Sequence, residues 1–150
     1  MQPYKHPPIV KKLLSSCLLI ALSISINAQS IFGKWNSKND TTGEIDSVIE
    51  VYQGKGKAYA KVVQVMDPKR QDILCDLCEG NRKGQKILGM NILDGLEKDG
   101  NEWSGGTILD PRNGNVYKCC ILLENPNKLK IRGYIGISLF GKTAYWERTK

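Results

Sequence analysis

One histidine, His6, is present in 150 residues, and that scarcity excludes more chemistry than any motif in the chain supplies. Histidine is the usual general base near neutral pH, the usual partner of a nucleophilic serine or cysteine, and the commonest metal ligand. His6 also lies in a segment that reads as a secretory leader. Lys5, Lys11 and Lys12 precede the apolar run Leu13 to Ile26, and Ala28 follows as a small cleavage-site residue. Cleavage there divides the chain into a signal peptide, 1–28, and a mature portion, 29–150, with no histidine at all. Ser-His-Asp, Cys-His and HExxH chemistry are excluded from that portion. Carboxylate, lysine or tyrosine catalysis stays open, but no paired carboxylates stand out for acid and base work. The expectation is a protein that is not an enzyme, with no catalytic residue, no metal site and no cofactor.

Long hydrophobic runs are scarce too. The leader run of 14 residues falls short of the roughly 20 that cross a bilayer as a helix, and no second run approaches it, so no transmembrane segment is expected in the mature chain. A rival reading makes Leu14-Ser15-Ser16-Cys17 a lipobox, with Cys17 acylated. Only four residues would then separate Lys12 from Cys17, too few for a hydrophobic stretch, and the plain signal peptide is preferred.

Charge is not concentrated either. The formal net charge is +7; three of the 22 basic residues lie in the leader, so residues 29–150 keep 19 basic against 15 acidic, a net of +4. Lys55, Lys57 and Lys61 alternate along one segment and Lys128, Lys130 and Arg132 along another, which places each trio on one face of a strand. A solvated outer face explains both trios; a patch for anionic lipid or polysaccharide is the alternative. Nucleic acid is not an expected partner outside the cytoplasm.

Four cysteines survive cleavage: Cys75 and Cys78 in a C-x-x-C pair, and the adjacent Cys119 and Cys120. Export favours disulfides over thiolate ligation of zinc. Adjacent residues on a strand point to opposite faces, so Cys119 and Cys120 do not suit one tetrahedral site with the other pair. A local Cys75–Cys78 disulfide is expected first, and a crosslink from that loop to Cys119 or Cys120 second. A redox role would want the pair opening a helix after a strand, whereas Leu74 to Gly84 is polar and glycine-containing.

What the mature chain does have is a succession of short β segments without a helical period. Strands are expected at Ile31 to Ser37, Ile45 to Tyr52, Lys57 to Met66, Ile87 to Leu93, Glu102 to Leu109, Val116 to Leu123, Lys128 to Ile135 and Leu139 to Arg148. One long loop, from Asp67-Pro68 to about Lys86, holds the C-x-x-C pair. Lys98-Asp99-Gly100-Asn101, Asp110-Pro111-Arg112-Asn113-Gly114 and Asn125-Pro126-Asn127 carry turn chemistry. Eight tightly linked strands make an antiparallel meander, and closure into an up-and-down barrel removes both sheet edges. The expected fold is therefore a single all-β barrel domain over 29–150, with a β-sandwich as the alternative.

Gly33-Lys34-Trp35 is similar to the G-x-W that begins lipocalin-like barrels, where the tryptophan packs across the closed end beneath a basic residue of the last strand; Arg148 is placed for that role. Over nearly the whole mature chain the sequence resembles the secreted bacterial family called domain of unknown function 2147. The residues carrying the match are Gly33-Lys34-Trp35, Cys75 to Gly80, Gly89, Trp103 to Pro111, Asn113-Gly114, Tyr117, Arg132 to Gly136, Gly141 and Trp146-Glu147-Arg148. The resemblance implies a lipocalin-like (calycin-type) barrel in the periplasm or cell envelope of a Gram-negative bacterium, or secreted. It brings no established activity, and the adjacent Cys119-Cys120 pair departs from its pattern.

Eight strands enclose barely enough space for one small ligand. The expected function is binding a small apolar or amphipathic molecule in the lumen, with Trp103, Asp110, Arg112, Arg132, Tyr134 and Tyr145 as candidate ligand-binding residues. Each has a plainer reading. Asp110 and Arg112 fit a hairpin turn, Trp103 and Tyr145 fit a core, and Arg132 with Tyr134 fall outside if Leu129, Ile131 and Ile135 face the lumen. The alternative function is an envelope interaction protein with a side-chain-filled barrel contacting anionic polymer, lipid or protein.

Overall fold

The computed structural model describes residues 29–150; the leader assigned to 1–28, with His6 and Cys17, lies outside them. Among the described residues the strands are β1 (Gly33–Lys38), β2 (Ile45–Gly54), β3 (Lys57–Val65), β4 (Asn91–Asp99), β5 (Glu102–Asp110), β6 (Asn115–Asn125), β7 (Lys128–Tyr134) and β8 (Gly141–Arg148). Each pairs with the next and β8 returns to β1, giving a closed antiparallel barrel in chain order. Closure leaves no edge to template aggregation. The alternation of side chains builds the core directly. On β3, Ala58, Ala60 and Val62 are buried while Lys57, Tyr59 and Lys61 between them are not. On β7, Leu129 and Ile131 are buried and Lys128, Lys130 and Arg132 lie outside. Several of the outer lysines pair with carboxylates, as in Lys57–Glu97 at 2.7 Å, Lys61–Glu50 at 3.2 Å and Lys128–Glu124 at 3.1 Å. Such exposed pairs contribute little to stability.

The fourth strand is not where its sequence pattern places it. Expected over Ile87 to Leu93, it runs instead from Asn91 to Asp99. Ile87 belongs to the long loop, its amide donating to the Ile73 carbonyl at 3.0 Å. Gly95, two residues past the expected end, takes a positive φ of 73° and bulges the strand without ending it. The same place explains Gly105-Gly106. A Cβ on Gly106 would lie 2.2 Å from the Asp94 carbonyl oxygen and 2.7 Å from the Leu96 nitrogen, so β4 and β5 approach closely only because that side chain is missing.

Cys75 and Cys78 form a disulfide. Cys119 is buried inside the barrel and Cys120 is only partly covered, as the alternation of β6 requires, and both thiols are free, without the alternative crosslink to the loop.

The barrel has two unlike ends. The short hairpins β2–β3, β4–β5 and β6–β7 close one end, where Trp35 is fully buried and its indole N–H donates to the Ile31 carbonyl at 2.8 Å. The Arg148 guanidinium lies 4.1 Å from the centre of the Trp35 ring. Its three nitrogens donate to the carbonyls of Pro126 (2.6 Å), Phe32 (3.2 Å) and Ser30 (2.7 Å). At the other end emerge the longer connections 39–44, 66–90, 111–114 and 135–140.

Candidate functional site

A cavity of about 670 Å³ occupies the open half of the barrel. Its walls follow from strand alternation. Inward positions of β2, β3, β4, β5 and β7 supply Ile49, Val62, Ile92, Ile108 and Ile131, while Ala144 and Trp146 come from β8. Small inward residues keep it open, since Ala144 lies opposite Ile131 and Gly133 opposite Lys142 in the β7–β8 pairing. The bulky residues that fill a small barrel sit toward the other end: Trp35, Leu96, Trp103 and Leu129 are all buried and none borders the cavity. The barrel is thus packed at its closed end and hollow at its open one.

The mouth is charged. The Asp110 carboxylate accepts two hydrogen bonds from the Arg112 side chain, Nε and Nη2 both at 2.9 Å, and one from the Arg112 backbone amide at 3.0 Å. Asp40, on the β1–β2 connection, lies 3.6 Å from Arg112 and accepts a hydrogen bond from Lys142 at the start of β8. Burial pushes the Asp110 carboxyl up, but the bonds from Arg112 outweigh it and hold it below its ordinary value. The bond from Lys142 lowers Asp40 against a smaller desolvation penalty. Both carboxyls are therefore ionised near neutral pH and neither has a proton to donate. Burial drives the Cys119 thiol far above its ordinary value, which keeps it from acting as a nucleophile.

The disulfide loop braces this mouth. A Cβ on Gly114 would sit 1.9 Å from the Leu77 carbonyl oxygen, so the Cys75–Cys78 loop rests on the Asp110–Gly114 turn. Cys75 Sγ lies 3.5 Å from the Pro111 carbonyl.

Of the six residues singled out from sequence, four border the cavity: Asp110, Arg112, Tyr134 and Tyr145. The Tyr145 ring, however, carries the Lys128 ammonium 4.1 Å from its centre, beside the outward basic row of β7. Trp103 lies at the closed half, edge-on to Phe32 with ring centres 5.4 Å apart. Arg132 points outside and ties down the β7–β8 loop, donating to the carbonyls of Ser138 (2.6 Å) and Leu139 (3.0 Å) and to the Thr143 hydroxyl (2.8 Å). Asp40 and Lys142 escaped the sequence reading, because residues 102 positions apart in the chain meet only once the barrel closes. The aliphatic walls were readable as inward positions, though not as a cavity.

A family model described as "Uncharacterized protein conserved in bacteria (DUF2147)" matches residues 33–148. Among solved structures, the chain is similar to one titled "Protein HP1028 from the human pathogen Helicobacter pylori belongs to the lipocalin family". The two are 18% identical with a TM-score of 0.71, over 81% of this chain and 84% of that one. Such a likeness shows a lipocalin-like barrel fold. Among curated proteins, none matches the chain.

Proposed function

We propose that this chain, which belongs to the DUF2147 family of uncharacterized bacterial proteins, takes one small apolar or amphipathic molecule into the open half of its barrel and does no covalent chemistry on it. The observation that carries the reading is the cavity of about 670 Å³, within the ~300–1,000 Å³ usual for small-molecule sites. Its aliphatic walls under a charged mouth suit a ligand with an apolar body and a polar end. The ionised carboxylates and the protonated thiol at and near the site favour binding over catalysis. A barrel filled by side chains is disfavoured by the same cavity.

We also propose that the protein works outside the cytoplasm, in the periplasm or envelope. The leader pattern of residues 1–28 supports this, and so does the Cys75–Cys78 disulfide, a bond that persists in oxidising compartments.

Native mass spectrometry of the purified protein, followed by solvent extraction, tests the binding reading. The expected result is a co-purified small molecule, or saturable uptake of a fluorescent fatty acid. Ala144→Phe, which fills the cavity from β8, should weaken probe binding at least about tenfold while the fold is kept. A protein that carries nothing and takes up no probe would overturn the reading.

A further inference from the structure

We propose that the open end of the barrel docks on an anionic lipid bilayer, with the β7–β8 loop, residues 135–140, as its apolar insert. From Gly133 to Gly141 the chain has no charged residue. Ile135, Ile137, Leu139 and Phe140 are 73%, 60%, 75% and 72% exposed, a concentration of bare apolar surface that soluble proteins avoid without a partner.

The loop is held in this shape. The Arg132 guanidinium takes up the carbonyls of Ser138 and Leu139, and the Phe140 amide donates to the Ile137 carbonyl at 3.1 Å. With those backbone groups bonded, the loop can enter an interfacial layer without stranding them. Other exposed apolar side chains, Leu74 and Leu77 on the long connection and Val116 at the start of β6, gather at this same end.

Charge selects the partner. The outer wall beside the loop carries Lys118 on β6, which pairs in register with Tyr134, and the mouth carries Lys142, which follows the loop on β8. Lys118 makes no ion pair among the described residues, and Lys142 pairs with Asp40. An apolar insert flanked by a free lysine complements acyl chains flanked by anionic headgroups. A second copy of the chain is a poorer occupant, since a two-fold pair built on this patch brings the Lys118 side chains of both copies together. The docking does not require the cavity to be filled, so it stands or falls separately from ligand binding.

Flotation of the protein with vesicles tests it, using phosphatidylcholine mixed with phosphatidylglycerol against phosphatidylcholine alone. Binding to the mixed vesicles, weakened by salt, is expected. The pair Ile137→Ser and Leu139→Ser, which leaves the cavity wall intact, should reduce binding at least about tenfold. The single change Lys118→Glu should remove the preference for anionic vesicles. These variants replace surface side chains, and an unchanged melting curve certifies the fold. Absence of flotation with either vesicle overturns the proposal, as does flotation indifferent to the Ile137 and Leu139 pair. A concentration-dependent dimer abolished by that same pair would assign the surface to a second copy and overturn it equally.

Discussion

Asp110 shows how a turn residue becomes part of a site. In the sequence it starts a proline-containing hairpin turn, and in the structure it does serve that turn: its backbone carbonyl accepts from the Gly114 amide at 2.8 Å. Its carboxylate also fixes Arg112 at the mouth, where burial alone would have favoured the neutral acid. The net pKa lies below the ordinary value, so the sign of the pH effect follows. The carboxylate adds stability above the unfolded value near 3.9 and loses it as the pH falls through the lower folded value. Asp110→Asn should cost about 1 kcal/mol at neutral pH and make the fall in stability on acidification shallower, read from urea midpoints across pH 3 to 6. An acid slope as steep as that of the unsubstituted protein would show that the Arg112 bonds do not govern this carboxyl. The turn was legible because proline, asparagine and glycine punctuate locally. The link to Asp40 and Lys142 was not, because it depends on closure of the barrel.

Among the elements, β4 marks the limit of reading strands from punctuation. Asp94-Gly95 and Asp99-Gly100 look alike in the sequence, yet Gly95 sits in a bulge against β3 while Gly100 belongs to the β4–β5 hairpin. Only the partner backbones decide, through the close approach at Gly106. The long connection raises the same question for Gly114, whose need for glycine comes both from its dihedral and from the loop lying on it. Gly43 separates the two, having a φ of 73° against 74° at Gly114 but open space where its Cβ would project. Gly43→Ala should therefore cost about 1 kcal/mol, the dihedral penalty alone. Gly114→Ala should cost at least about 2 kcal/mol more and raise hydrogen exchange in the Cys75–Cys78 loop. Equal costs would mean that the loop does not press on the turn.

For the whole molecule, the decisive contact is the seam that turns a meander into a barrel. β1 and β8 pair in register at only two positions, Trp35 with Arg148 and Asn36 with Glu147, the fewest of any neighbouring strands, with β3 and β4 next at three. Side chains reinforce that join. Arg148 spans the start of the chain and the β6–β7 turn through its three carbonyl partners and covers the Trp35 ring; Lys38 reaches Glu147 at 2.7 Å and the Thr149 hydroxyl reaches Asn36 at 3.0 Å. The identities of Trp35 and Arg148 were readable as a resemblance, but the distribution of volume was not. Whether eight strands hold a cavity depends on which half the large side chains fill, and here they fill the end that Arg148 seals. Arg148→Ala should cost about 2–4 kcal/mol, from lost charge-assisted bonds and cation–π contact. Lysine should not restore it, because an ammonium cannot present the planar guanidinium fork to three carbonyls. Hydrogen exchange should then rise together in β1 and β8 while β5 and β6 stay protected. Uniform loss of protection around the barrel would instead make Arg148 one core contact among many, and the seam no weaker than the rest.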